Sequence, residues 1–181
     1  MLYTGKGDDG TTTTFGCDQR MSKSSAIAEA LGSVDEINSL LGVVKMELGE
    51  TQAVGDLSYH DLLDDVQQDL FVVQAELAGA DKKMNEARVK KLEEWIGAIE
   101  TELPPIKSFF VSGGTKLGAT CDFARTVARR AERRVVSALE IADPTQKPPL
   151  FQYMNRLSSL LYALARLANF RAGVSEEKPT Y

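Results

Sequence analysis

The sequence predicts an all-α fold, an antiparallel bundle of four main helices with one extra. Three observations predict it. Apolar residues recur at spacings of three and four through five long stretches, and nothing reads as a strand of any length. Every proline falls between these stretches or in the tail. The 181 residues, 43% of them apolar, suffice for one domain with a sizeable core. There are no repeats and no linkers, so 1–181 is read as a single domain: an N-terminal loop over 1–23, a helical bundle over 24–172 and a tail over 173–181.

Residues 1–23 hold no helical period. Gly5, Gly7 and Gly10 with Thr11 to Thr14 make a loop dense in backbone N–H groups and hydroxyls, which can wrap phosphate oxygens. Taken alone, such a terminus is disordered by default. The spacing from Gly5 to Gly10 is similar to the opening of a P-loop, but Thr11 stands where the lysine belongs and no hydrophobic strand precedes it. It is not a P-loop. Lys6, Arg20 and Lys23 supply cations nearby.

The first helix is expected from about Ser25 to Leu48, with Ile27, Leu31, Val34, Ile37, Leu41, Val44 and Leu48 inward. Asp35 and Asn38 lie beside that stripe, a costly place for a carboxylate without a partner. The second runs from Ser58, a plausible N-cap, to Gly79, and the third from about Asn85 to Leu103, ahead of Pro104-Pro105. This acidic middle region carries no chemical motif and reads as scaffold. A short apolar link, Ile106 to Val111, follows; its adjacent Phe109 and Phe110 cannot both face one side.

The fourth helix is expected over Ser112 to Leu139, ending near Ala142 and entered through Gly113-Gly114. Its inner stripe, Leu117, Cys121, Ala124, Ala128, Ala131, Val135 and Ala138, is small enough for a close neighbour. A second stripe carries Asp122, Arg125, Arg129 and Glu132, with Arg130, Arg133 and Arg134 on the same turns. From Lys116 to Arg134 six cationic and two anionic side chains give a local charge of +4 in a chain of net −5. Such a face is by default solvated; arginine forks, which bind phosphate oxygens in pairs, shift it only a little toward an anion site, and the rest of the chain must decide. The last helix, about Leu150 to Ala172, sets a polar stripe of Asn155, Ser158 or Ser159, Tyr162 and Arg166 next to its apolar one. The tail from Gly173 is short and polar.

Composition excludes several classes. The acidic balance argues against nucleic-acid binding, and no apolar run approaches the roughly 18 residues that span a bilayer. The N-terminus has no apolar signal region and only Cys17 and Cys121 are present, so a cytoplasmic protein without a disulfide framework or zinc site is expected. The single histidine, His60, and the lack of any Glu-x-x-His pair leave no histidine-ligated di-iron site, and no metal ligands are assigned.

Three segments in order, YTGKGDDGTTTTFG with EALGSVDEINSLLG, FFVSGG with CDFARTVARRAERRVV, and YMNRLSSLLYALAR, together resemble the PduO-type ATP:cob(I)alamin adenosyltransferases (corrinoid adenosyltransferases). The resemblance spans nearly the whole chain. It implies a ferritin-like up-and-down helical bundle assembled as a homotrimer with its sites between subunits. It also implies transfer of the 5′-deoxyadenosyl group of ATP to the cobalt of cob(I)alamin, giving adenosylcobalamin and triphosphate. ATP and cobalamin would be the substrates, Mg2+ would accompany ATP, and a reductase and a B12-dependent acceptor enzyme would be partners.

Carried over by position, Thr4, Gly5, Lys6, Gly7, Thr12, Thr13 and Lys23 would hold ATP phosphates. Arg129, Arg130, Glu132 and Arg133 would complete the nucleotide site, with Asn155 reaching it from the last helix. On the corrinoid side the resemblance implies Asp35 paired with Arg125. It also implies Phe109 near the lower face of the corrin, helping to displace the lower axial ligand. Here TGKGDDG stands where TGDKG is common, and Ser112 replaces a frequent proline. Two other readings remain at this point: an ATP-binding regulatory module without catalysis, and a purely structural bundle, which would leave the glycine/threonine loop without a purpose.

Overall fold

The computed structural model describes residues 2–14, 18–48, 53–54, 57–139 and 148–181. The expected end of the fourth helix near Ala142, and Cys17, lie outside them. Among the described residues the five expected helices all form: α1 (Ala26–Leu48), α2 (Tyr59–Leu77), α3 (Glu86–Glu100), α4 (Lys116–Leu139) and α5 (Pro149–Arg171). The only strands described are two antiparallel pairs of two residues each, one joining Thr11–Thr12 to Met21–Ser22 and one joining Ala53–Val54 to Leu57–Ser58.

Helix starts follow capping chemistry. Ser58 accepts the amide of Asp61 at the head of α2, and Asn85 accepts that of Arg88 at the head of α3. α5 begins at Pro149, whose missing N–H is no loss in a first turn. α4 starts four residues later than the sequence suggests. Gly113 and Gly114 have φ of +135° and +94°, outside the right-handed helical region, so winding begins only after Thr115.

α4 packs against both α1 and α5, α2 lies along α1, and α3 lies along α5. Ion pairs of Arg88 with Asp69 and of Lys91 with Asp65 tie α3 back to α2. The core runs from Val34, Ile37, Leu41 and Val44 of α1 to Leu157, Leu160, Leu161 and Leu164 of α5. Across the centre, Cys121, Ala124, Ala128 and Ala131 of α4 are all fully buried, and their small size lets the three central helices approach closely.

The head of α4 is fixed from α5. Asn169 Oδ1 accepts the Thr115 amide at 2.8 Å and the Thr115 hydroxyl at 2.9 Å, while its Nδ2 donates to Gly113 O at 2.8 Å. A Cβ on Gly114 or Gly118 would lie 2.5 or 2.4 Å from Asn169 Oδ1, which is why glycine occupies both places. This one amide sets the turn that delivers Phe109 to Ser112 onto the bundle.

Candidate active site

The face between α4 and α5 carries two cavities that share Arg129. The larger, about 530 Å3, is lined by the link residues Ile106 to Phe110, by Arg125 and Arg129 of α4, and by Ser158, Ser159 and Tyr162 of α5. The smaller, about 310 Å3, is lined by Arg129, Glu132, Arg133, Val136 and Asn155. The aromatic cavity suits a large, partly apolar ligand, and the charged one suits an anion.

The four arginines of the α4 motif differ in what they already hold. Arg130 is ion-paired to Glu36 of α1, and Arg134 lies 3.8 Å from Glu29. Arg133 donates to the Arg129 carbonyl at 2.9 Å. Among the described residues the exposed Arg129 guanidinium has no partner, and it stands at the border of both cavities. Of the four, Arg129 and Arg133 are therefore disposed toward a ligand, while Arg130 also fastens α4 to α1.

Asn155 is oriented from both ends. Its Nδ2 donates to Glu132 at 3.1 Å, and its Oδ1 accepts Arg156, which in turn bonds Glu93 of α3 at 2.9 Å. The resemblance placed Glu132 and Asn155 together, and the structure brings them within hydrogen-bond distance.

On the other side, Phe109 is 82% exposed at the lip of the larger cavity, while Phe110 is half-buried behind it. The two aromatics differ in exposure, yet both line that cavity. Burial pushes the Tyr162 hydroxyl above its ordinary range, so it is neutral at physiological pH; the Arg125 guanidinium lies 5.8 Å from its ring centroid. The Cys121 thiol, on the buried face of α4, is raised to about 12, first by burial and then by the carboxylates of Asp122 and Glu47, so it is no nucleophile.

One expectation, the burial of Asp35, needs correction, and the Asp35–Arg125 pair does not form within a single chain. Asp35 is exposed, and Asn38 is the buried polar residue of that turn. The helical phase explains this: Asp35 follows Val34 on the outer side, whereas Asn38 follows Ile37 one turn on, toward α2, where its carbonyl accepts Gln67. Arg125 does not pair with Asp35 here. Its Nε donates at 3.0 Å to Asp122, three residues back on α4 and only 9% exposed.

The N-terminal loop is likewise not the open segment its composition suggests. Arg20 closes it: Nε donates to Thr11 Oγ1 at 2.6 Å, and Nη2 to Lys6 O, Thr11 O and Asp9. Lys23 Nζ donates to Gly7 O at 2.8 Å, and its amide bonds Gly10 O. The Asp9 carboxyl is held below its ordinary range by the Thr11 hydroxyl and amide. Thr4, Gly5, Lys6, Gly7, Thr12, Thr13 and Lys23 thus share one hairpin, yet none of them lines either cavity of their own chain.

Several site residues escaped the sequence reading. Lys107 and Ser108 line the larger cavity, and beside it Asn169 bonds Gly113, Glu176 bonds Arg166 and Glu177 bonds Val111. Only the polar character of α5's second stripe hinted at them.

Comparison with known proteins agrees with this geometry. The family model described as cobalamin adenosyltransferase matches residues 2–168. The chain is 36% identical to the corrinoid adenosyltransferase of Bacillus subtilis (strain 168), covering 97% of this chain and 90% of that protein. It is 35% identical to the corrinoid adenosyltransferase of Mycobacterium leprae, covering 93% and 91%. Among solved structures, a variant of the PduO-type ATP:corrinoid adenosyltransferase from Lactobacillus reuteri, complexed with cobalamin and ATP, superposes with a TM-score of 0.86 at 30% identity, covering 99% of this chain and 96% of that one. The family match over nearly the whole chain, with relatives of this identity and a bundle of this shape, makes this chain a member of the cobalamin adenosyltransferase family.

Proposed function

We propose that this chain transfers the 5′-deoxyadenosyl group of ATP to the cobalt of cob(I)alamin, with the corrinoid in the aromatic cavity and the triphosphate in the charged one. The observation that carries the reading is the position of Arg129 on the border of both cavities, without a partner among the described residues. In the reaction the electron pair of cobalt(I) forms the new bond to C5′, the C5′–O bond breaks, and its electrons leave with triphosphate. The nucleophile comes from the substrate, so the protein needs to orient and to neutralise charge. Arg129 and Arg133 supply positive charge where the leaving group gains negative charge. Glu132 and Asn155 fix the nucleotide's orientation. Phe109, Phe110 and Tyr162 keep water from the cobalt. Magnesium would travel with the triphosphate, and Glu132 is the nearby carboxylate able to join its mostly phosphate and water shell.

The hairpin would complete a site on a neighbouring copy in a homotrimer. Supporting this, its glycines and threonines line neither cavity of their own chain. Val43 and Met46 of α1 and Phe123 and Val136 of α4 also leave apolar surface exposed for a symmetric contact. In that contact the exposed Asp35 would meet a neighbour's Arg125. The cytoplasm, where a reductase supplies cob(I)alamin and an acceptor enzyme takes the product, is the compartment this chemistry fits.

The test is an anaerobic assay with ATP and chemically reduced cobalamin, following the absorption spectrum. Formation of a cobalt–carbon bond with release of triphosphate is expected. Saturable ATP binding with no such bond would leave only the regulatory alternative.

A further inference from the structure

Arg166 lies one turn beyond Tyr162 on α5 and is only 5% exposed, the most buried cation among the described residues. It does not line the larger cavity. Its contacts gather three segments behind that cavity. Nε and Nη2 donate to the two carboxylate oxygens of Glu176, at 2.8 and 2.9 Å, and Nη2 also donates to Pro104 O at 3.1 Å. Its guanidinium carbon lies 5.4 Å from the centroid of the Phe110 ring. Beside it, the Val111 amide donates to Glu177 O at 2.8 Å, so the tail also holds the link through its backbone. The Val174 amide bonds Asn169 O at 2.9 Å, which continues the attachment to the residue fixing the head of α4.

Phe110 also lines the larger cavity, together with Phe109 and Tyr162. A fork that grips Glu176 and lies against Phe110 therefore bears on where the adjacent Phe109 stands. The link itself has no regular structure between α3 and α4, so its geometry is imposed by these contacts. A charge pair kept only for stability would not need to meet the start of the link, its aromatic residue and the tail at once; well-packed apolar groups serve stability equally well.

We infer that Arg166 is a positioning residue for the corrinoid side of the site, acting through Glu176 and Phe110 to hold the Phe109 link over the larger cavity. The inference rests on the reading of that cavity as the corrinoid site. It predicts a selective defect. The site residues on the nucleotide side, Arg129, Glu132, Arg133 and Asn155, do not touch this cluster, so ATP parameters should be insensitive to it.

The decisive variant is Arg166→Met combined with Glu176→Met, which removes both charges together and strands neither. Expected is a roughly ten- to hundredfold loss in kcat/KM for cob(I)alamin, the cost of misplacing a positioning element. KM for ATP should stay within about twofold of the parent chain and Tm close to it. Arg166→Lys keeps the charge but not the fork and should likewise keep Tm without keeping kcat/KM. Hydrogen exchange at the Val111 amide should accelerate in the double variant, a readout that needs no turnover. If the double variant does not fold, Glu176→Gln, which keeps the shape, carries the same kinetic expectation. Unaltered cobalamin kinetics, ATP and cobalamin parameters falling together, or unchanged Val111 exchange would overturn the inference. Absence of adenosyl transfer by the parent chain would instead overturn the proposed function, and the exchange measurement would still decide the role of Arg166 in holding the link.

Discussion

The N-terminal hairpin and the α4–α5 face are both rich in cations, yet they use them in opposite ways. In the hairpin the cations turn inward: Arg20 and Lys23 donate to the carbonyls of Lys6, Thr11 and Gly7, so positive charge shapes the loop. On the helical face the cations closest to α1 are paired by Glu29 and Glu36, while Arg129 stands open beside two cavities. One region is a preorganised backbone cradle without a cavity. The other is a pair of cavities whose unneutralised charge awaits an anion. The difference teaches that an arginine motif cannot be read as a unit: its members divide between holding the fold and meeting the ligand, and only the partners across the bundle reveal which is which.

Removing the open arginine should have the largest effect. Arg129→Ala is expected to lower turnover or ATP affinity by about 30- to 1000-fold, the cost of about 2–4 kcal/mol of charge-assisted contact to a desolvated phosphate. Tm and oligomeric mass should not change, because no described ion pair is broken. Steady-state kinetics with varied ATP, beside a melting curve, would check both halves.

Arg125→Ala should show the reverse balance. It strands the buried Asp122, and with Arg125 itself half-buried the stability loss should be up to about 3 kcal/mol. Denaturant unfolding would read it. Asp122→Asn combined with Arg125→Ala should cost less than the sum of the two single changes. Additive costs would mean that the pair does not hold α4.

Gly118→Ala tests the hinge between the regions of the bundle. Its Cβ would fall 2.4 Å from an Asn169 oxygen that already serves Thr115, so the amide must leave its place. About 2 kcal/mol of lost stability is expected, from overpacking and the lost cap together. Gly97→Ala, with nothing within 4 Å, should be neutral or slightly stabilising in the same experiment.

The smallest effect belongs to the hairpin's own acid. Thr11 depresses the Asp9 pKa, so Asp9 stabilises the hairpin above the ordinary carboxylate value of about 4 and loses that contribution as pH falls through the lower folded value. Asp9 is fully exposed, so the global Tm should barely respond. Hydrogen exchange at the Thr11 amide should respond in acid, and Asp9→Asn should abolish that dependence.

These cases mark how far the sequence could be read. Ser58 was legible as a cap because its partner lies three residues away, and Asn85 was legible as the start of α3. The small-residue stripe of α4 was legible because burial repeats with the helical period. Glu132 with Asn155 came from a resemblance, not from spacing. Asn169 and Arg166 were illegible as organisers. One meets Thr115 across 54 residues and the other Pro104 across 62, and no local pattern announces such pairings. Asp35 misled for a different reason: one residue of helical phase separates a surface carboxylate from a core position, and the outcome depends on where α2 sits. The hairpin misled because composition counts glycine as freedom, whereas one arginine with four acceptors removes it.

The central claim is that the open face of one chain and the hairpin of another make one site, and subunit mixing tests it most directly. Arg129→Ala disables the face, and Arg20→Ala with Lys23→Ala disables the hairpin. Each variant assembled alone should be nearly inactive. Mixed in equal amounts and allowed to exchange, they should regain activity at about a quarter of their sites, those pairing an intact face with an intact hairpin by random assembly. A mixture no more active than its components would contradict the account and return the whole site to a single chain.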